Sequence, residues 1–433
     1  MLTVEQNKLP VIVIGAGISG LTCARKLHES GKEVIVLEAK DRIGGRLHSV
    51  QNENDVFDLG ASWIHGIDGN PIWEMTQSKQ IETVVFNYDD SDYFHEDGHQ
   101  FSLDEKKEFQ YYFDVVEKLL LTSKQNSALV SVREILNNLK MDCQYFDENQ
   151  LKHLIFTFFE KYANDPYATE LYNLHSQYQL HEGYYEGDEV IFPLGYSQIL
   201  NDSLCDIGLN IKTNVIVKKI IYEGDVVKVI DHNNIEYLAS QLVVSVPLGV
   251  LKKQAITFIP DLPEKYQYAI DAIGFGSFNK IFFELEESLD LQKNSDANSF
   301  YYWVGSTWYN ILDLSKIYKK PVYLLLFGGK LSEYVDGATN KDIWSFIHRN
   351  LSTSLANLPM IPKRLCITRW GADAFSYGSF SFPSIFFNEK LVKTLNEPIH
   401  DRIYFTGEHC SAEYAGTVHG AYLNGLETAN QLF

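Results

Sequence analysis

The chain has 433 residues, 45% of them hydrophobic, enough for two or three domains with a large core. Its formal charge of −20 disfavours binding to a nucleic-acid backbone and suits cationic partners by steering, although an acidic surface also serves solubility alone. No apolar run reaches the length of a membrane span, and five scattered cysteines without a CxxC pair are expected as free thiols in a reducing cytoplasm. The first ten residues lack a basic start with an apolar core, so no secretory signal is expected. The ending ETANQLF reads neither as a membrane tail nor as a peroxisomal signal.

Residues 11–46 carry the organising motif. Val11–Ile14 is a short β-branched run, predicted as a buried parallel strand. Gly15, Gly17 and Gly20 follow at GxGxxG spacing, helical periodicity continues through Leu21, Ala24 and Leu27, and Gly31 is a helix stop. Gly15 permits the tight turn, Gly17 lets backbone approach a pyrophosphate, and Gly20 lets helix and strand pack closely. The helix N-terminus then faces the anion. A second strand, Val34–Leu37, ends at Glu38, placed to accept ribose hydroxyls. Ala16, Ser19 and Ala39 are further candidate cofactor contacts of this unit. To this point NAD and FAD both fit. Asp41-Arg42-Ile43-Gly44-Gly45-Arg46 follows, a second glycine pair with Arg46 to neutralise phosphate. This stretch resembles the DRIGGR signature of the FAD-dependent amine oxidase superfamily.

Residues 57–66 (FDLGASWIHG) read as a strand entering a tight loop, and Asn70-Pro71 as a helix start. In the polyamine-oxidase branch of the superfamily a similar Trp-Ile-His-Gly segment lies along the flavin. The resemblance implies cofactor contacts from Gly60, Ala61, Ser62 and Trp63, with His65 on the catalytic face, orienting a substrate amine or making a polar contact. Residues 89–98 read as a polar loop or hairpin. Residues 105–124, 132–139 and 148–165 carry helical periodicity rich in Phe, Tyr and Leu, predicted as a helical insertion. His153, His175 and His181 lack metal-ligand spacing, so no metal site is expected. The acidic stretch 182–189 leads into a Pro-x-Gly-Tyr turn at 193–196, as in related polyamine oxidases. By that resemblance Glu182 and Glu186, with Asp188 and Glu189, are candidates for holding distal ammonium groups.

Residues 211–222, 226–231 and 242–247 read as strands of a small antiparallel unit plus a return strand. The resemblance puts a backbone contact to adenine at Val215. In 274–281 (GFGSFNKI) one lysine sits among aromatic and β-branched residues, where desolvation costs an ammonium dearly. Lys280 matches the family lysine that holds a water against the reactive flavin nitrogen. Residues 300–303, 307–311, 322–327 and 365–370 read as strands and 341–352 as a helix. Trp370 and the stretch 377–381 (YGSFS) resemble the segment closing over the flavin ring. Monoamine oxidases carry there a cysteine bonded to the flavin; Ser379 in its place implies noncovalent FAD, and Phe380 supplies an aromatic wall. At 404–410 (YFTGEHC) and 414–421 (YAGTVHGA), Gly407 and Glu408 match the ribityl–pyrophosphate contacts, and Thr417 and Val418 the isoalloxazine edge. A Thr417 where monoamine oxidases usually carry Tyr implies a more open tunnel and a place for Thr417 in the substrate site.

The resemblance covers nearly the whole chain and is closest to the polyamine oxidase and spermine oxidase branch. It implies an α/β fold: a Rossmann-like FAD/NAD(P)-binding domain from residues 1–80, 190–254 and 376–433, plus a mixed α+β substrate domain from helical 81–189 and a sheet in 255–375. The expected reaction is hydride transfer from a small-molecule amine, spermine, spermidine or an acetylated form, to FAD. Imine hydrolysis and release of hydrogen peroxide from oxygen follow, in a cytoplasmic monomer or homodimer without nucleic-acid or membrane partners. Catalytic roles fall to Lys280 and His65, substrate contacts to His65, Glu182, Glu186, Phe380 and Thr417. Monoamine, L-amino-acid and histone-lysine oxidation, and a flavin-binding regulator without turnover, are the alternatives.

Overall fold

A computed structural model describes residues 9–88, 91–291 and 297–433. The first eight residues, on which the signal-sequence reading bears, and Asp89 and Asp90 of the expected polar loop lie outside the described residues.

A five-stranded parallel sheet is assembled from distant parts of the chain. Its order is Ile403–Phe405, Gln241–Val244, Val11–Ile14, Val34–Leu37, Asn210–Lys212. The central strands are almost wholly Val, Ile and Leu because both faces are covered. Helix Ile18–Glu29 joins the first two strands in sequence, and helix Val418–Gln431 packs beside it. Gly425 permits that packing, since a Cβ there would lie 2.5 Å from the Ser19 carbonyl oxygen, and Gly20 lets the first helix pack on the turn before it, where a Cβ would lie 2.2 Å from the Gly15 carbonyl oxygen.

The predicted strand over 211–222 breaks in two. Asn210–Lys212 edges the parallel sheet, while Val217–Ile221 joins a second sheet with Val227–Asp231 and Glu236–Ala239. Asn214, at φ 59°, makes the break, since Asn tolerates the left-handed region better than branched residues. Thr257–Ile259 pairs in parallel with Val217–Ile221, so this part of 255–375 extends the small sheet and not the large one.

The large sheet has six strands in the order Arg364–Ile367, Phe278–Glu284, Val322–Gly328, Thr307–Asp313, Ser299–Val304, Ser91–Phe94. The last bears on the reading of 89–98 as a polar loop or hairpin: among the described residues the segment turns back through the antiparallel bridge Phe94–Gln100, as a hairpin would, but Ser91–Phe94 is a fully buried edge strand, parallel to Ser299–Val304, and not polar surface. Its acid misled the sequence reading, but Tyr93 stacks on Tyr301 and Phe94 on Tyr302, which draws the segment into the core. Helices Leu103–Leu120, Ala128–Asn138 and Glu148–Asn164 form a layer over one face, sharing a core with Tyr93, Trp308 and Phe382. Helix Asn340–Leu351 covers the other through Ile343, Trp344 and Ile347. All five cysteines are free, and among the described residues no helix is long and apolar enough to cross a membrane.

Candidate active site

A cavity of about 1140 Å³ runs from the glycine turn after Val11–Ile14, along the edge of the parallel sheet, to the large sheet and its helical roof. Gly15, Gly17, Ser19, Glu38, Ala39, Arg46, Gly60, Ala61, Ser62, Trp63, His65, Glu182, Val215, Lys280, Trp370, Phe380, Gly407, Glu408, Thr417 and Val418 all line it. Ala16, Gly20 and Glu186 do not. Ala16 is wholly buried and its N–H donates to Glu38 Oε2 at 2.7 Å, so it aims the carboxylate without facing the cavity. Gly20 serves packing. Glu186 is exposed on the outer side of its loop.

The nucleotide end suits FAD on the structure's own terms. Glu38 is buried and oriented by N–H donors from Ala16 and from Lys40 (2.8 Å), leaving lone pairs toward the cavity for ribose. A Cβ on Gly17 would meet nothing within 4 Å, so a bare patch of backbone faces the cavity beside the start of Ile18–Glu29. The first N–H groups of that helix have no partner within it and point at an anion site. Val215 donates its N–H to the Glu38 carbonyl at 2.8 Å, which leaves its carbonyl for a base.

Arg46 and Glu408 are bonded to each other at the cavity wall. Arg46 Nη1 donates to Glu408 Oε1 at 2.6 Å and to the Ser379 carbonyl at 2.9 Å. Glu408 Oε2 accepts from the Ser381 hydroxyl, the Ser381 N–H (3.3 Å) and the Gly416 N–H (2.8 Å). The Glu408 carboxylate is held below its ordinary range, against burial, by Arg46, by the neighbouring His409 and by the Ser381 hydroxyl. It therefore positions Arg46 and two loops at the cavity wall.

Lys280 lies inside the large sheet, 5% exposed. Its Nζ donates to the carbonyls of Gly60 (2.5 Å) and Asp58 (3.2 Å) and to the Ser62 hydroxyl, and sits 5.3 Å from the Trp63 ring. Burial lowers its pKa to about 8, opposed by the charge of Asp58. Asp58 is pushed up by its own burial, opposed by hydrogen bonds from Ser49 and the Tyr196 N–H and by Lys280. The ammonium thus ties the large sheet to the 58–63 loop. Its three protons all have protein acceptors, so a water on Nζ requires the neutral amine or the opening of one of these bonds.

His65 is half exposed and fixed by Glu189 at 2.8 Å and the Tyr88 hydroxyl at 3.1 Å. Of the four acids at 182–189, Glu182 lines the cavity, while Asp188 accepts from Asn87 at 3.1 Å. Glu182 opens to cavity solvent but is hemmed in by protein, and that desolvation raises it to about 7, helped by Glu117 and opposed by a hydrogen bond to Tyr167. Phe380 stands 5.7 Å from Phe278, two aromatic walls side by side. The Thr417 hydroxyl is committed to its helix, accepting from the Gly420 N–H (2.9 Å) and donating to the Tyr414 carbonyl (2.8 Å). Thr417 therefore lines the cavity by its methyl and backbone.

Several lining groups escaped the sequence reading. Lys161 and Asp165 enter from helix Glu148–Asn164, and Tyr162 and Tyr167 flank them. One signal was present: Lys161 falls on the apolar stripe of Leu154 and Phe158, where a lysine needs a reason. His419, 5% exposed, lines the cavity with Nε2 unpartnered, and burial lowers it to about 4. Among the described residues no His, Cys, Asp and Glu group is placed to hold a metal.

A sequence model of the family described as flavin containing amine oxidoreductase matches residues 18–433. Polyamine oxidase 2 of Arabidopsis thaliana is 29% identical over 97% of this chain and 87% of that protein. Polyamine oxidase 4 of Oryza sativa subsp. japonica is 29% identical over 97% of this chain and 88% of its own length. Lysine-specific histone demethylase 1 homolog 2 of Arabidopsis thaliana is 28% identical over 99% of this chain but only 59% of its own.

Proposed function

The chain belongs to the flavin containing amine oxidoreductase family, and from this premise we propose that this FAD-dependent amine oxidase acts on polyamines. The observation that carries the choice is the reach of the cavity beyond Lys280, where Glu182 and Glu413 line a space that Tyr162 and Tyr167 also line. Two carboxylates on the lining suit a flexible chain bearing several ammonium groups. The −20 charge suits its capture by steering.

Bound FAD supplies the two-electron acceptor for the amine's α carbon–hydrogen bond, with oxygen taking the electrons on to hydrogen peroxide. The chain's own work is binding, orientation and proton control. The glycine turn and the N-terminus of Ile18–Glu29 hold pyrophosphate in a Rossmann-like unit, Glu38 holds ribose, and Trp63, Trp370, Phe278 and Phe380 wall the reacting centre. Ser379 supports noncovalent attachment: its hydroxyl accepts from the Phe278 N–H at 2.8 Å and donates to the Phe278 carbonyl at 2.9 Å, a strand clamp with no reactive thiol. His65, held by Glu189 and Tyr88, offers its remaining nitrogen to the substrate. Lys280 assists imine hydrolysis or the oxygen reaction.

Glu182→Gln is expected to raise KM for spermine about ten-fold at pH 8, where the parent carboxylate is ionised. At pH 6, where the raised pKa leaves Glu182 mostly protonated, the parent and the variant should differ little. A short monoamine such as benzylamine should be unaffected at both. Peroxide release across substrate and pH checks this; a spermine KM insensitive to the substitution, or a better rate with the monoamine, would count against the polyamine reading.

A further inference from the structure

A turn at 372–377 lines the nucleotide end of the cavity and is tied to the strand–helix–strand unit by one ion pair. Lys40 is fixed on that unit by its backbone: its N–H donates to Glu38 Oε1 at 2.8 Å, and its carbonyl accepts from the Asn214 N–H at 2.9 Å. Its Nζ donates to Asp373 Oδ2, 333 residues on, and lies 5.8 Å from the Trp370 ring and 6.0 Å from that of Phe375. Both side chains of the pair are 21% exposed, so solvent screens it only in part. The neighbouring Arg42 is committed to the carbonyls of Ile43 (3.1 Å) and Gly45 (3.0 Å).

Asp373 also builds the turn. Its Oδ1 accepts from the Phe375 N–H at 2.8 Å, and its carbonyl accepts from the N–H groups of Ser376 (3.0 Å) and Tyr377 (2.8 Å). The Ser376 hydroxyl donates to the Gly378 carbonyl at 2.6 Å. Among the described residues, the hydrogen bonds of 372–377 thus stay within this stretch, apart from the one from Lys40. Ser376 is buried, with its carbonyl 2.2 Å from where a Cβ on Gly249 would stand, which seats the end of the turn. Ala372 and Ala374 at its outer part are exposed. Tyr377 at the base has φ 54°, a strained value for an aromatic residue. A self-contained turn with a strained base and one outside tie is free to swing about that base once the tie opens.

Glu38 and Lys40 line the cavity from one element, and Ala374, Phe375 and Tyr377 line it from the turn. We propose that the Lys40–Asp373 pair latches this turn across the nucleotide of FAD, so that opening of the pair limits how fast the cofactor leaves. The two residues position the wall of the cofactor site and take no part in the oxidation. The latch stands on FAD binding alone and does not depend on which amine is oxidised.

The test is the rate of FAD release from the loaded protein, followed by the rise of free-flavin fluorescence on dilution, beside the melting temperature of each apoprotein. Asp373→Asn keeps the acceptor for the Phe375 N–H but loses the charge, and Lys40→Met removes the other partner. Each is expected to speed release about ten-fold with the apoprotein melting temperature unchanged, and the double variant should release no faster than either single one, because both break one interaction. Lys40→Arg, which can still pair with the carboxylate, should stay within about two-fold of the parent. Added salt should speed release from the parent and leave the two single variants unmoved. Release unchanged in both single variants would overturn the latch. So would accelerations that multiply in the double variant, since Lys40 and Asp373 would then act on FAD separately.

Discussion

Gly17→Val is expected to yield a folded protein that retains no flavin. Gly17 has φ −76°, a value open to any residue, and a Cβ there meets nothing within 4 Å, so the substitution strains neither backbone nor packing. The added side chain projects instead into the cavity where the backbone must approach the pyrophosphate. The affinity loss should exceed about a hundred-fold, since the anion would lose the helix N–H donors together. The contrast with Gly15→Val sharpens the point. Gly15 has φ 103° and its Cβ would lie 2.7 Å from the Ser245 carbonyl oxygen, so that variant should lose stability as well as flavin. Flavin absorbance of the purified proteins, read beside their melting temperatures, separates the two. A Gly17→Val protein with full flavin content would put the pyrophosphate elsewhere.

Lys280→Met should slow turnover about 10²–10³-fold, the cost of removing one preorganised charge from a reacting centre. In the role proposed for Lys280 the buried ammonium would offset negative charge developing on oxygen as it accepts electrons, and a desolvated site would magnify its influence. Methionine keeps much of the volume but loses the three bonds to Asp58, Gly60 and Ser62. Part of the defect therefore comes from a loosened 58–63 loop, and rapid mixing distinguishes the two parts. Loss of the charge should appear in the oxygen half-reaction, and the parent's rate there should fall as pH rises through about 8, where Lys280 deprotonates. The Met variant should lack that limb. An unchanged oxygen reaction with the pH limb intact would take Lys280 out of the chemistry.

The cofactor end was legible in the sequence because it is local. Gly15, Gly17 and Glu38 act within one strand–helix–strand unit, and their spacing carries the geometry. Lys280 was legible for a different reason, as a charge in a strand otherwise fit only for burial. What escaped depends on partners distant in sequence. Glu408 is bonded to Arg46, a pairing across 362 residues that neither motif announces. The polar appearance of 91–98 hid the burial of Ser91–Phe94 and its pairing with Ser299–Val304, some two hundred residues on. Asp165 carries no motif at all; only the fold reveals that its second oxygen has no partner. Glu182 and Glu186 looked equivalent in one acidic run, and only the path of the loop divides the one that faces the cavity from the one that faces solvent.

The most direct test of polyamine oxidation at this site is anaerobic mixing of the FAD-loaded protein with spermine and N1-acetylspermine, followed by admission of oxygen. The expected result is bleaching of the oxidised-flavin absorbance by the amine alone, then its return on adding oxygen with release of one peroxide per flavin. A flavin that binds yet stays oxidised in the presence of both amines would contradict the account.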